Sequence, residues 1–129
     1  MAQWHGISRR KPTGGRLKRP SAYRGKRRTE IATEKQFSMI GETSRKAYRK
    51  RAGSQTVRVL SDNVINVADK KTGKTVVATL QSVSENAADP NFVRRNIMTK
   101  GALVETDKGT VRITSRPGSH GVINGVLLE

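Results

Sequence analysis

Apolar and polar residues alternate in short runs through the second part of the chain, residues 54–129. These runs contain all 12 Val residues of the protein and four of its seven Ile residues. Period-two runs of β-branched residues bounded by turn residues predict β-strands. The predicted strands are 56–60, 64–68, 75–83, 102–106, 110–114 and 122–128. Turn residues at 69–73 and 107–109 predict hairpins between neighbouring strands.

One helix is predicted between the third and fourth strands. Asp89 is a suitable N-cap, and Pro90 suits the first helical position because no N–H donor is needed there. Val93 and Ile97 lie four residues apart on one face, and Gly101 marks the C-terminal end. Six short strands with one short helix predict a mainly β protein whose sheet is a closed or nearly closed barrel.

The core of this barrel is predicted from the apolar positions of the strands and the helix. The predicted core residues are Val57, Val59, Val64, Val67, Val76, Leu80, Phe92, Val93, Ile97, Leu103, Val111, Ile113, Val122, Ile123 and Val126. Residues 116–121 contain Pro and Gly and are predicted as a long turn before the last strand.

The first 53 residues have a different pattern, with no Val and only three Ile. Pro and Gly recur too often in residues 1–28 for a helix to propagate, so this part is predicted to be irregular. Residues 29–53 contain good helix formers but poor apolar periodicity, and a helix and an irregular segment both remain open there. We therefore expect a basic N-terminal extension, 1–53, and a small β domain, 54–129.

Charge divides the chain in the same place. The net charge is +16, and residues 1–53 contain 16 Lys and Arg against three acidic residues, while residues 54–129 contain 10 against seven. A segment with this charge and so few apolar side chains does not build a core and is suited to binding a polyanion. We expect the extension to bind nucleic acid and to become ordered on binding. A membrane surface fits less well, because no wide apolar helix face accompanies the charge.

Other functions lack the residues they require. The absence of Cys excludes disulfides and cysteine-ligated zinc. His5 and His120 are far apart, and no carboxylate pair or nucleophile elbow indicates an enzyme, so no catalysis, cofactor, metal or small-molecule substrate is expected. The Gly-Lys-Thr sequence at 73–75 is not a phosphate-binding loop, since Ala68 occupies the position of the required glycine. No signal peptide or membrane span is visible, which predicts a cytoplasmic protein.

The composition of residues 1–28 favours RNA as the polyanion. This part contains seven Arg and three Lys, and Arg forms forked contacts with phosphate and stacks on bases. Trp4 and Tyr23 lie among these charges and are suited to stacking on unpaired bases. Gly14 and Gly15 lack Cβ atoms, so the backbone there is suited either to approaching a phosphate closely or to forming a flexible joint.

The candidate RNA-binding residues combine the charged, aromatic and glycine residues of the extension with cations of the β domain. They are Trp4, His5, Arg9, Arg10, Lys11, Thr13, Gly14, Gly15, Arg16, Lys18, Arg19, Tyr23, Arg24, Lys26, Arg27, Arg28, Arg45, Lys46, Tyr48, Arg49, Lys50, Arg51, Arg58, Arg94, Arg95 and Arg116. Arg58, Arg94 and Arg95 are expected to dock the β domain. For Arg116, a contact with RNA and a contact with a neighbouring loop both remain open.

Motifs along the chain resemble one known family. They are Arg10-Lys11-Pro12-Thr13-Gly14-Gly15-Arg16 followed by the basic run 24–31, Arg49-Lys50-Arg51-Ala52-Gly53 leading into Leu60-Ser61-Asp62-Asn63-Val64, and Thr114-Ser115-Arg116-Pro117-Gly118 with Gly121-Val122-Ile123-Asn124. These motifs are similar to the archaeal and eukaryotic small-subunit ribosomal protein eight, which is unrelated to the bacterial protein of that number. The resemblance is close to the archaeal members and covers essentially the whole chain.

The resemblance implies a mostly β globular part and a basic extension that threads ribosomal RNA. It also implies a structural role in the small ribosomal subunit, with small-subunit ribosomal RNA and neighbouring ribosomal proteins as partners and without an obligatory cofactor. The residues alone leave three alternatives: an architectural DNA-coating protein, a small enzyme with a basic groove, and a protein-binding β module whose extension is only a tail. A DNA-coating protein typically has a basic recognition helix or a minor-groove wedge, and neither is evident in the sequence.

Overall fold

The computed structural model of the protein describes residues 3–4, 10–18, 31–32 and 34–128. The chain consists of two compact units, Met1–Lys35 and Gln36–Glu129. In chain order the elements are β1 (Gln3–Trp4), β2 (Ile31–Ala32), β3 (Ser38–Ile40), β4 (Ser44–Arg49), β5 (Gln55–Asp62), β6 (Val64–Ala68), β7 (Thr75–Glu85), α1 (Asn91–Arg94), β8 (Ile97–Met98), β9 (Leu103–Thr106), β10 (Gly109–Ile113), α2 (Pro117–His120) and β11 (Asn124–Leu127). Neither of these helices has the length and hydrophobicity that a membrane span requires.

Among its described residues, the first unit contains one short antiparallel strand pair. Trp4 of β1 lies opposite Ile31 of β2. An isolated antiparallel bridge also joins Arg10 to Arg16. Much of the predicted irregular extension, including residues 19–30, lies outside the described residues. For those residues the irregular conformation stays a prediction.

The second unit contains a closed five-stranded barrel in the order β10-β11-β6-β7-β9. Its neighbours pair antiparallel except β11 and β6, which run parallel with Asn124 opposite Asn66. Closure removes the free strand edges that an open sheet would expose. The mainly β fold and the barrel-like sheet predicted from the sequence are confirmed.

A four-stranded sheet in the order β4-β5-β3-β8 accompanies the barrel. Residues 44–49 form the edge strand β4, so neither the helix nor the irregular segment left open by the sequence occurs there. β4 pairs antiparallel with β5, with one bulge between Ser44 and Arg45. Residues 36–53, expected in the extension, therefore belong to the same compact unit as the barrel. Hydrogen-bonded strand pairing places residues 36–53 in this unit. Amino-acid composition, from which the boundary at 53 was predicted, contains no information on strand pairing.

The helix predicted before residue 101 is much shorter than expected. α1 has a single turn, and Arg94 and Arg95 at its end are exposed, as predicted. Asn96 follows with a positive φ of 50°, a left-handed conformation that ends a right-handed helix and that Asn tolerates better than most residues. Ile97 and Met98 then form β8, in which both side chains are buried. The helical spacing of the apolar residues was therefore misleading after the first turn.

The core fills the barrel, and the four-stranded sheet contributes Val59 and Met98 to it. The predicted core residues that are buried are Val59, Val67, Leu80, Ile97, Val111, Ile113 and Ile123. Those that are half-buried are Phe92, Val93, Leu103 and Val126. The core assignment was wrong for four exposed residues, namely Val57, Val64, Val76 and Val122. In β6 the inward face carries Ile65 and Val67, so alternation places Val64 on the outer face.

Candidate nucleic-acid interface

Residues 11–15 form a tight turn that presents cations of the first unit. The N–H of Lys11 donates to the carbonyl of Gly15 (2.8 Å), and the N–H of Gly14 donates to the carbonyl of Lys11 (2.9 Å). Gly14 has a φ of +86°, which glycine adopts without steric cost. The guanidinium of Arg10 donates to the carbonyl of Gly14 (2.9 Å). All residues from 10 to 18 are exposed, so the turn is a defined cationic tip.

A second turn, residues 50–54, has the same geometry within the other unit. The N–H of Lys50 donates to the carbonyl of Ser54 (2.7 Å), and the N–H of Gly53 donates to the carbonyl of Lys50 (3.1 Å). The φ of Gly53 is +82°. Lys50 and Arg51 are exposed at this tip, as is Arg49 just before it. The structure therefore gathers three of the candidate cations at the end of the β4–β5 hairpin.

The outward face of this hairpin carries an aromatic ring close to two cations. Lys46 lies directly opposite Arg58, and Tyr48 lies opposite Thr56, so these side chains share one face of the sheet. The Arg58 guanidinium carbon is 5.0 Å from the centre of the Tyr48 ring, and the Lys46 Nζ is 5.4 Å from it. The Tyr48 hydroxyl donates to Oε1 of Gln36 (2.9 Å). We call Lys46, Tyr48 and Arg58 the Tyr48 cluster.

Asp62 is a buried carboxylate where β5 leads into β6, with 1% of its surface exposed. Arg45 donates to its Oδ2 (2.9 Å), and Thr43 donates to its Oδ1 (2.9 Å). The N–H groups of Asn63 and Val64 also donate to Oδ1 (3.0 and 3.3 Å). Burial alone would raise the pKa of this carboxyl, but the hydrogen bonds outweigh burial and hold the pKa below its ordinary value. Arg45, a candidate RNA-binding residue, therefore has a structural partner inside the protein.

Replacing Asp62 by Asn should lower the free energy of unfolding by about 2 kcal/mol at pH 7, because the amide cannot pair with the Arg45 charge. The wild-type contribution is complete above the unfolded pKa of about 3.9 and is lost as the pH falls through the lower folded pKa. Urea unfolding of both proteins from pH 7 to pH 2.5 should therefore show a difference that shrinks in acid. Glu85→Gln, which neutralises an exposed carboxylate, is the matched control. A difference as large at pH 2.5 as at pH 7 would contradict the assignment.

Two candidate arginines lie at the end of α1. Arg95 is positioned over the ring of Phe37, with its guanidinium carbon 5.6 Å from the ring centre. Phe37 in turn packs against Phe92 with ring centres 5.2 Å apart. Arg94 beside it is exposed. The short helix therefore presents two adjacent cations, one of them held by an aromatic pair.

Arg116 lies at the start of α2, a single helical turn within the residues predicted as a long turn. Its side chain is exposed, and its N–H donates to Nδ1 of His120 (3.2 Å). Gly121 ends the turn against Val57, and a Cβ at that position would lie 3.1 Å from the Val57 carbonyl oxygen. α2 therefore packs closely on β5, and His120 is part of a structural corner.

The structure describes only part of the candidate set. Eight candidates lie outside the described residues: His5, Arg9, Arg19, Tyr23, Arg24, Lys26, Arg27 and Arg28. Trp4 is described as part of β1. The turn at 11–15 and its flanks bring together Arg10, Lys11, Thr13, Gly14, Gly15, Arg16 and Lys18.

Sequence reasoning missed the residues that support the candidate side chains. Gln36 holds Tyr48, and Phe37 holds Arg95. These contacts join segments that are distant in sequence, and no local pattern marks them. The Gly-Lys-Thr sequence lies in the hairpin between β6 and β7 and leads into the predicted strand at Thr75, whereas a phosphate-binding loop leads into a helix. Among the described residues, no group of three or more His, Cys, Asp or Glu is placed to hold a metal.

The family model for ribosomal protein S8e matches residues 4–128. The chain is 51% identical over 126 residues to the small ribosomal subunit protein eS8 of Methanocorpusculum labreanum, covering 98% of both chains. It is 49% identical over 127 residues to the protein of that name from Methanospirillum hungatei JF-1, covering 98% of this chain and 99% of the relative. A third relative of the same name, from Methanobrevibacter smithii, is 44% identical over 128 residues.

These comparisons show that the chain is a ribosomal protein. The chain belongs to the ribosomal protein S8e family, which confirms the resemblance noted in its motifs and their closeness to archaeal members. It is a structural protein and not an enzyme, as the sequence predicted. The comparisons give no support to the DNA-coating alternative.

Proposed function

We propose that this chain stabilises the fold of small-subunit ribosomal RNA through contacts by its basic side chains. As a member of the S8e family, it is a structural component of the small ribosomal subunit and acts in the cytoplasm as part of the ribosome. Neighbouring ribosomal proteins remain the other expected partners. What we propose beyond family membership is that the basic side chains named above contact this RNA.

The observation that carries the proposal is the uncompensated charge of the β4–β5 hairpin. In the part of the chain that the structure describes, Arg45 is paired with Asp62. The hairpin has five other cations, and none of them forms an ion pair with a described residue. They are Lys46, Arg49, Lys50, Arg51 and Arg58. Cations crowded on one hairpin without carboxylates repel one another. Phosphate groups of RNA would remove that repulsion, and each contact would release counterions.

The extension supplies the larger share of the charge. Ordering a flexible residue costs about 1–2 kcal/mol, so a long cationic segment becomes ordered only where charge-assisted contacts are dense. The exposed turn at 11–15 offers such contacts with a fixed backbone. We retain the RNA-threading role expected for residues 1–53 as a proposal, with residues 36–53 acting from within the four-stranded sheet.

The proposal predicts a steep dependence of RNA affinity on salt. If about ten phosphates are neutralised, log Kobs should fall with log [salt] with a slope of roughly −7 to −9. Filter binding of the full chain to a small-subunit ribosomal RNA transcript between 0.1 and 0.5 M KCl measures this slope. Duplex DNA of equal phosphate content, at matched salt, is the comparison ligand. A slope near zero, or equal affinity for both nucleic acids, would contradict the proposed function.

A further inference from the structure

The Tyr48 cluster places two like charges directly opposite each other on paired strands. Lys46 and Arg58 are cross-strand partners, both are exposed, and neither forms an ion pair with a described residue. Directly opposed like charges destabilise a sheet unless another group compensates them. Both cations lie close to the Tyr48 ring, whose electron-rich face attracts positive charge.

The Tyr48 ring is held in place rather than free to turn away. Its hydroxyl donates to Gln36 at 2.9 Å, and the side chain is half-buried against its neighbours. The Arg58 guanidinium carbon lies 5.0 Å from the ring centre, within the range of a cation–π contact. The guanidinium is therefore in contact with the Tyr48 ring, while the Arg58 side chain as a whole is exposed to solvent. A planar cation held beside an aromatic ring in this way offers a second flat group for stacking.

We propose that Arg58, supported by Tyr48, is a stacking site for an unpaired RNA base, and that Lys46 binds the phosphate next to that base. The inference rests on the proposed function and specifies the RNA that this face binds. A base within a helix is already stacked on its neighbours, so only an unstacked base gains from a further planar surface. Contact with phosphate alone would need the charge of Arg58 but not its plane, nor the tyrosine beneath it.

Arg58→Lys in the full-length protein tests this inference because it keeps the charge and removes the plane. The probes are an oligoadenylate of 12 nucleotides and an abasic RNA oligomer with the same number of phosphates. We expect Arg58→Lys to weaken binding of oligoadenylate roughly tenfold, since stacking contributes about 1–3 kcal/mol per base. Binding of the abasic oligomer and the salt slope of both complexes should not change. Arg112→Lys, which makes the same change at an exposed position of β10 outside the candidate interface, is the matched control and should be neutral.

Two further variants distinguish the contribution of the Tyr48 ring to binding from that of its hydroxyl. Tyr48→Leu should reproduce the loss seen with Arg58→Lys, while Tyr48→Phe, which retains the ring, should retain most of the preference for oligoadenylate. Unchanged thermal unfolding shows that each variant is folded. Equal effects of Arg58→Lys on both oligomers, or no effect on either, would overturn the inference. Neither result would affect the proposed function, which instead fails if the wild-type protein lacks the steep salt slope.

Discussion

Replacing the ten Arg and Lys residues of 1–28 by Gln should lower the affinity for small-subunit ribosomal RNA by at least about 1,000-fold near 0.1 M salt. The physical reason is the loss of the counterions that these cations release on binding. The salt slope should become correspondingly shallower. Filter binding across a salt series, with the full-length variant and the wild type side by side, measures both quantities.

The control for this experiment neutralises cations of the barrel unit that lie outside the candidate interface. Lys70, Lys74, Lys100 and Lys108 are exposed and well outside the β4–β5 hairpin in sequence, and their replacement by Gln should change the affinity much less per charge removed. If the extension variant kept most of its affinity and its slope, the extension would be only a tail. The β unit alone would then account for binding, as in the protein-binding alternative.

Gly125→Ala should be the most destabilising single substitution of a small residue in the barrel. Gly125 is buried in β11 between β10 and β6. A Cβ there would clash with Cγ1 of Val111 and lie 2.9 Å from the carbonyl oxygen of Arg112. Backbone cannot move away without breaking strand pairing, so we expect a loss of about 3 kcal/mol and a fall in Tm of at least about 10 °C. Urea and thermal unfolding measure the two effects.

Gly118→Ala is the matched control for this substitution. No atom lies within 4 Å of its Cβ position and its φ is not positive, so the same chemical change should alter stability by less than about 0.5 kcal/mol. Adding Val111→Ala to Gly125→Ala should recover part of the lost stability, because it removes one of the two clashing groups. Equal stability of Gly125→Ala and the wild type would show that β11 lies farther from β10 than the structure places it.

Period-two alternation was sufficient to predict most of the barrel. The strands β6, β7, β9 and β10 lie within about two residues of their predicted positions because their inward Val and Ile residues alternate with polar ones. Alternation failed at β4, whose cationic residues bury almost no side chain and are held by backbone pairing with β5. It also failed after α1, where the left-handed conformation of Asn96 changes the direction of the chain. Neither cause has a signal in apolar periodicity.

The candidate interface was predictable as a set of charges but not as an arrangement. Charge density and Arg content were enough to predict Arg58 and Lys46 as RNA-binding candidates. Tyr48 was predicted because it lies among cations in the sequence. Their juxtaposition depends on the register of β4 against β5, which the sequence did not reveal. The pairing of Arg45 with Asp62 was likewise invisible, because no local pattern links two residues that are 17 positions apart. Residues that support a site through distant contacts are found from the structure alone.

The parallel pairing of β6 with β11 also determines when the barrel can form. The side chains of Asn66 and Asn124, which join these strands, are 58 positions apart, and contacts of such long range form slowly because a large loop must close first. During synthesis β11 is the last barrel strand to be made, so closure must wait for it. The cationic extension is made first. A nascent chain therefore exposes its cationic segment while its barrel strands are still unclosed. If RNA binds that segment early, as proposed above, it would restrict the collisions through which open strands aggregate.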